Sequence, residues 1–255
     1  LKALGYRLAL VPIIVSPDQF GVPQLRERVV ILGIYDPENA DKDLQITFDN
    51  PKTKDENDVY SILDDGKVED KYYISEKEEY VLNAWDEFYK GIKETVIGFP
   101  IWAEYFKDKD AEEDFPEWKK EFIRKNKALY QLNKKFIDTW LIKYDNLQSF
   151  TPTQRKMEWQ AGDKIKSLWE GVIQFRPSGI RVKTPTCFPA LVAIVQIPII
   201  GKYKRRLTVR EAARLQSCPN TFIPDADDHQ AYKQFGNAVN VDVIEQAARK
   251  LFEIK

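Results

Sequence analysis

Residues 6–15 (Tyr-Arg-Leu-Ala-Leu-Val-Pro-Ile-Ile-Val) and 24–34 (Gln-Leu-Arg-Glu-Arg-Val-Val-Ile-Leu-Gly-Ile) are apolar and partly β-branched. Ser16-Pro17-Asp18 and Gly21-Val22-Pro23 supply turn chemistry between them. The pattern predicts two strands. Within the second, Val29-Val30-Ile31-Leu32 shows no alternation, which predicts a strand covered on both faces, as in the middle of an α/β sheet. Two strands do not make a stable sheet by themselves, so a further partner segment is expected.

From Asp36 to Lys71 the chain is acidic and reads as loop; from Ser75 to about Leu147 it reads as helix, with aromatic residues set among Lys and Glu. Trp85, Phe88 and Tyr89 fit one helix face, and Phe122, Leu129, Leu132, Phe136, Trp140 and Leu141 predict a longer helix. Spacing alone makes these aromatics the core of a helical insertion, although stacking on bases would use the same residue types. Residues 172–200 return to short strands, with Arg176-Pro177-Ser178-Gly179 as the clearest turn. Thr208-Val209-Arg210-Glu211 has the capping-box form of a helix start, and Pro219 marks that helix's end. After a predicted turn at Gly236-Asn237, Ile244, Ala247, Ala248, Leu251 and Phe252 share one helical face that must dock on something.

A chain of 255 residues, 43% hydrophobic, can bury a sizeable core. No window approaches the roughly 18 uninterrupted apolar residues of a membrane helix, and the first residues lack a signal-peptide layout, so a cytoplasmic location is expected. The two cysteines, Cys187 and Cys218, have no CxxC or Cys/His spacing and the only histidine is His229, which argues against a zinc site or a disulfide framework. The chain opens on Leu1 and its only methionine is Met157, so a fragment of a longer protein is expected. A net charge of −1 is not the overall footprint of a nucleic-acid binder, yet Lys202, Lys204, Arg205, Arg206, Arg210 and Arg214 form a basic cluster suited either to phosphates or to a solvated face.

In an extended strand Gln24, Arg26 and Arg28 would share a face. Two guanidiniums and an amide converging there would suit a base edge or a phosphate; a polar strand end facing solvent is the alternative. Arg210 and Arg214 share a helix face and either meet a ligand or pair with Glu211 and the acidic loops. Gly236-Asn237-Ala238 would let backbone approach a ligand closely, or is simply a turn before a helix.

Together these pieces resemble one family. Phe20-Gly21-Val22-Pro23-Gln24-Leu25-Arg26-Glu27-Arg28-Val29 is similar to the F-G-V-P-Q-x-R-x-R motif of cytosine-5 DNA methyltransferases. Arg206-Leu207-Thr208-Val209-Arg210-Glu211-Ala212-Ala213-Arg214-Leu215-Gln216 is similar to their R-x-L/T-x-R-E-x-A-R-L-Q motif, and Ala231-Tyr232-Lys233-Gln234-Phe235-Gly236-Asn237-Ala238-Val239 to their final Y-K-Q-x-G-N-[AS]-V motif. Gly5-Tyr6 sits where the family has L-G-Y, and Gln174 to Gly201, including Phe188-Pro189-Ala190-Leu191, resembles bacterial members with an enlarged recognition domain.

The resemblance implies an enzyme that flips a cytosine out of duplex DNA, adds a cysteine thiolate to carbon 6 of the ring, and methylates carbon 5 with S-adenosylmethionine. It assigns Arg28 to the flipped cytosine, with Arg26 and Gln24 beside it, and Asn237 and Ala238 to closure over the methyl donor. Gln216 and the helix of Arg206, Arg210 and Arg214 become the support that orients the recognition domain. The family's donor-binding glycines, P-C-Q nucleophile and E-N-V acid precede the matching segment and are not found here, so neither cysteine is assigned as nucleophile and the chain alone is expected to be inactive. Candidates for direct base readout are Arg176, Ser178, Arg181 and Lys183, since arginine and lysine suit guanine edges, although a basic turn equally suits phosphates.

The expected fold is α/β: a β hairpin and C-terminal helix of a class I methyltransferase sheet, with an inserted, largely helical target-recognition domain. The expected division is 1–35 for the last catalytic-domain strands, 36–205 for the recognition domain with its insertion at about 75–147, 206–230 for the arginine-rich helix and loop, and 231–255 for the returning helix. Implied partners are double-stranded DNA and the missing N-terminal catalytic segment, in a bacterial restriction-modification setting. A catalytically inactive DNA-binding relative and a tRNA-methylating relative are the alternatives.

Overall fold

The computed structural model describes residues 1–46, 57–93, 98–107, 109, 114–193 and 196–253. Strands β1 (Tyr6–Leu8), β2 (Ile13–Val15), β3 (Gln24–Leu25), β4 (Arg28–Val30) and β5 (Gly33–Tyr35) precede helix α1 (Glu76–Gly91). Strand β6 (Ile101–Trp102) leads into α2 (Glu117–Leu132) and α3 (Lys134–Lys143). Then come β7 (Lys156–Trp159), β8 (Val172–Arg176), β9 (Gly179–Lys183), β10 (Phe188–Pro189), β11 (Ile199–Ile200) and β12 (Arg205–Arg206). Helices α4 (Val209–Leu215), α5 (Asp228–Asn237) and α6 (Val241–Phe252) follow. The chain divides into two compact units, Leu1–Lys67 with Thr186–Val195 and Thr208–Lys255, and Val68–Pro185 with Gln196–Leu207.

The first unit holds the two predicted strands, each broken into shorter ones. β1 pairs antiparallel with β5 and β2 with β4, in the register Ile14↔Val29 and Val15↔Arg28. Pro12, which has no N–H to donate, lies just before β2, and between β3 and β4 the Arg26 N–H turns away to the Ser16 hydroxyl at 3.0 Å. The alternation expected for Gln24, Arg26 and Arg28 is therefore interrupted. The expectation that Val29 to Leu32 is covered on both faces is also corrected: Leu32 is buried, but Val29 and Ile31 are 64% and 58% exposed, as is Ile14 at 62%. An apolar face of the β2/β4 pair is left open in this chain.

The two compact units divide at Val68 and not at residue 36, and residues 186–195 fall in the first unit. Two contacts hold these segments there. β10 pairs in parallel with β3, Phe188 opposite Gln24, and the Asp64 N–H donates to the Glu211 carboxylate at 2.8 Å. Part of the acidic stretch, residues 47–56, lies outside the described residues; the described part contains only short single turns of 3₁₀ helix and extended chain.

Helix α4 starts at the predicted capping box, with Thr208 Oγ1 accepting from the Glu211 N–H and the Glu211 carboxylate accepting from the Thr208 N–H. Gly236-Asn237 is not the predicted turn but the last turn of α5; α6 is started instead by Asn240, whose side chain accepts from the Val243 N–H. On α6, Val243 and Ala247 are buried, while Ile244 and Phe252 from the predicted docking face remain 45% and 82% exposed.

In the second unit a mixed six-stranded sheet, in the order β12-β11-β8-β9-β7-β6, packs with the helices. The predicted turn at Pro177-Ser178 joins β8 and β9 as an antiparallel hairpin. Helix α1 is started by a Ser75–Glu78 capping box and buries Val81, Leu82, Trp85 and Phe88, a 3.6-residue stripe. Trp85 and Trp140 pack with ring centroids 5.5 Å apart, and each indole N–H reaches a backbone oxygen, of Gln154 and Ala84 respectively, so burying these rings strands no donor. The single long helix expected through Phe122 and Trp140 is divided at Asn133, whose amide bonds to the Leu129 oxygen and the Lys93 N–H, competing with the regular ladder. Leu132, expected in the core, is 51% exposed. Among the described residues, no helix is long and apolar enough to cross a membrane.

Candidate functional site

In the first unit the centre of interest is the strand of Gln24, Arg26 and Arg28. A turn of 3₁₀ helix, Pro17–Phe20, positions it: Ser16 and Gln19 form a capping box, and Gly21 ends the turn at φ 86°, a left-handed conformation that suits glycine. The Ser16 hydroxyl then takes the Arg26 N–H. Arg26 is only 5% exposed, and its guanidinium donates from Nη1 to the Phe235 oxygen at 3.2 Å and from Nη2 to the Gly236 oxygen at 2.8 Å. Burial, reinforced by the Arg28 charge, lowers its pKa from the usual arginine value. Arg28 is exposed, and its Nη1 reaches only the carbonyl of its neighbour Glu27, at 2.7 Å.

Arg26 thus ties the strand to the end of α5, one residue before Asn237. Asn237 is exposed and Ala238 half-buried. Gly236 is required by packing: a Cβ there would stand 2.5 Å from the Val192 carbonyl carbon and 2.6 Å from the Ala193 nitrogen, both backbone atoms. Gly236→Ala should therefore destabilise the chain by about 1–3 kcal/mol through overpacking, read as a lower urea midpoint; an unchanged midpoint would mean that α5 and residues 192–193 separate freely.

Gln24 and Gln216 are both fully buried, with neither amide nitrogen nor oxygen hydrogen-bonded. Such orphan groups are costly in a finished interior. The Gln216 backbone oxygen does have a role, accepting from the Val241 N–H at 3.0 Å and so fixing the start of α6.

The basic cluster does not act as one set. Arg214 donates from Nη1 to Asp64 at 2.7 Å and to the Ile62 oxygen at 3.1 Å, while Asp64 also accepts from the Thr208 hydroxyl at 3.0 Å. This settles the Arg214 alternative in favour of an acidic loop. Asp64, with Glu211 behind it, clamps residues 62–64 onto α4; the sequence reading passed it over because nothing in its local pattern distinguishes it from the other acids of that stretch. Arg210 is half-buried with Nη1 unpartnered. Arg206 is not on the helix but in β12 of the second unit, where it pairs with Glu78. Burial pushes the Glu78 carboxyl up, but hydrogen bonds from Arg206 and Ser75 outweigh it and hold the group below its usual value. Lys204 pairs with Glu79 at 2.5 Å.

In the second unit, two of the four readout candidates meet one acid that the sequence reading missed. Glu158 lies opposite Arg181 in the β7/β9 register and accepts from its Nε at 3.0 Å and Nη2 at 2.9 Å. Arg176 reaches the same carboxylate at 3.5 Å, and burial, with Arg181 nearby, lowers its pKa. Ser178 is exposed on the intervening turn, and Lys183 is half-buried at the end of β9. Beside Glu158 and Arg181 opens a cavity of about 530 Å³ walled by Phe99, Trp102, Trp118 and Phe122. The polar–apolar alternation of Lys156-Met157-Glu158-Trp159, matched by its alternating burial, is the signal that would have placed Glu158 outward.

Neither cysteine resembles an activated thiol. Cys187 is buried, and burial raises the Cys218 pKa despite the opposing Arg210 charge, which disfavours the thiolate. Cys218→Ser should leave methyl transfer, assayed with a nucleophile-bearing segment supplied, within twofold; abolition would make Cys218 the nucleophile.

The sequence profile described as C-5 cytosine-specific DNA methylase matches residues 1–253. Type II methyltransferase M.AluI of Cellulosimicrobium cellulans is 28% identical across 98% of this chain and 66% of its own length. Type II methyltransferase M1.ScrFI of Lactococcus lactis subsp. cremoris is 51% identical over 54 residues, 21% of this chain and 14% of that relative. Among solved structures, the Entamoeba histolytica methyltransferase EhMeth superposes with a TM-score of 0.42 at 15% identity, over 98% of this chain and 54% of its own. The chain thus spans just under two thirds of M.AluI and about half of the structural relative.

Proposed function

The chain belongs to the C-5 cytosine-specific DNA methylase family, and from that premise we propose that it is the DNA-recognising part of a bacterial type II enzyme that turns a cytosine out of the duplex and methylates its carbon 5. Unstacking is required because neither face of a stacked ring is open to attack. The observation that carries the reading is the Arg26 fork, which joins the Q-x-R-x-R strand to the end of α5 and leaves Arg28 exposed beside it. Arg28 is the group offered to the flipped base, with a planar array of donors that matches a base edge or phosphate.

The nucleophile is proposed to come from a preceding segment that packs on the open apolar face of Ile14, Val29 and Ile31; burying such a face is favourable by about 25 cal/mol per Å². S-adenosylmethionine would supply the methyl group. Among the residues present, the exposed Asn237 amide and the Ala238 backbone at the end of α5 fit the margin of that donor's site, not its whole. Duplex DNA is the proposed acceptor, with Arg176, Ser178, Arg181 and Lys183 at the recognition surface.

Transfer of labelled methyl to duplex DNA, by the chain alone and with the nucleophile-bearing segment supplied, tests this. Transfer is expected only in the mixture and only to DNA. Activity of the chain alone, or preference for tRNA as acceptor, would overturn the assignment.

A further inference from the structure

We propose that the aromatic-walled cavity of the second unit takes a single unstacked purine base of a nucleic-acid strand, with Trp118 as its stacking wall and the Glu158–Arg181 pair facing the base's polar edge. The proposal rests on the reading of the chain as a DNA binder. The cavity volume of about 530 Å³ accommodates a purine nucleotide, within the range of small-molecule sites. Its walls are flat rings held in fixed positions. Trp102 meets Phe122 edge-on with centroids 5.8 Å apart, and Trp118 meets Phe122 at the same separation. The fully buried Asn126 accepts from the Trp102 backbone N–H at 2.7 Å and donates to the Pro100 and Phe122 oxygens, fixing the chain at Trp102 to α2.

Trp118 itself is 58% exposed, so its ring is not consumed by the core and keeps stacking area available. Base–aromatic stacking of this kind is a general device for holding unpaired nucleotides.

The polar edge favours a base over other flat ligands. Arg181 spends Nε and Nη2 on the Glu158 Oε2 atom and retains further N–H groups, while Glu158 Oε1 accepts from the Gln160 side-chain amide and keeps one lone pair for a ligand. A donor and an acceptor thus stand side by side, the complement of a base edge that carries both. An ammonium ligand is disfavoured because lysines already occupy ring faces here: Lys156 stands 5.8 Å from the Trp102 centroid and Lys125 6.0 Å from those of Phe99 and Phe122. The same lysines suit a strand's phosphates, although Glu104 and Glu121 partly offset their charge.

The test is fluorescence anisotropy of the 255-residue chain with labelled duplexes, fully paired or carrying one unpaired purine, and with purine mononucleotides as competitors. At least fivefold tighter binding of the unpaired-purine duplex is expected, falling to the paired-duplex value in Trp118→Ala and in Glu158→Gln, and largely retained in Trp118→Phe. Competition by mononucleotides as strong as by the unpaired-purine duplex would support the cavity and assign free nucleotide as its source. Equal binding of both duplexes, or a preference that survives Trp118→Ala, would overturn the cavity while leaving the DNA reading intact. Mononucleotide binding without any duplex binding would overturn the DNA reading and leave the cavity.

Discussion

Replacing Arg28 by alanine should lower kcat/KM for methyl transfer about 100-fold or more, in the assay with the nucleophile-bearing segment supplied, while leaving the unfolding midpoint of the chain unchanged. The asymmetry follows from where the side chain sits. Arg28 is exposed at the start of β4, and its Nη1 hydrogen bond goes to the carbonyl of the adjacent residue, which water replaces at little cost. Its remaining donors have no structural employment to lose. If they hold a flipped base, each charged hydrogen bond is worth roughly 1.5–3 kcal/mol, and two of them exceed 2.8 kcal/mol, about two powers of ten in rate. Arg28→Lys keeps the charge but not the planar fork, and should recover no more than about a tenth of the activity. A Tm drop comparable to the loss of activity would show instead that Arg28 is a structural residue.

What could be read from the sequence was whatever is encoded locally. The Thr208–Glu211 capping box and the turn at Pro177-Ser178 depend on neighbours within a few residues, and both stand where the pattern put them. The Trp85 and Phe88 stripe is buried as its spacing requires. Failures came where a distant group decides. Asn133 divides a helix because its side chain finds the Lys93 N–H, 40 residues away. Residues 57–67 join the first unit because Asp64 meets Thr208, Glu211 and Arg214, and no feature of an acidic loop announces that partner. Trp118 belongs to neither predicted stripe, and its exposed place at a cavity rim is invisible to 3.6-residue spacing. Of the site, the motifs located Arg26 and Arg28 but not the difference between them.

That difference yields the largest expected effect on stability. Arg26→Ala should destabilise the chain by about 2–4 kcal/mol, because it removes two charged hydrogen bonds and leaves their acceptors behind. The acceptors are the Phe235 and Gly236 carbonyls in the last turn of α5, where helical oxygens have no partner of their own and the helix dipole is negative. A cation is the favoured cap there. The oxygens belong to consecutive residues, so a planar fork spans both while a lysine ammonium, a single point of charge, serves one well. Arg26→Lys should accordingly regain about half of the lost stability. Urea unfolding reads both effects as a shift in midpoint without a change in slope. Loosening this end of α5 also frees Asn237 and Ala238, so at temperatures where the chain is still folded, Arg26→Lys should raise KM for the methyl donor more than it lowers kcat. A variant with wild-type midpoint and abolished kcat would place Arg26 in the base pocket beside Arg28 and remove its role as the cap of α5.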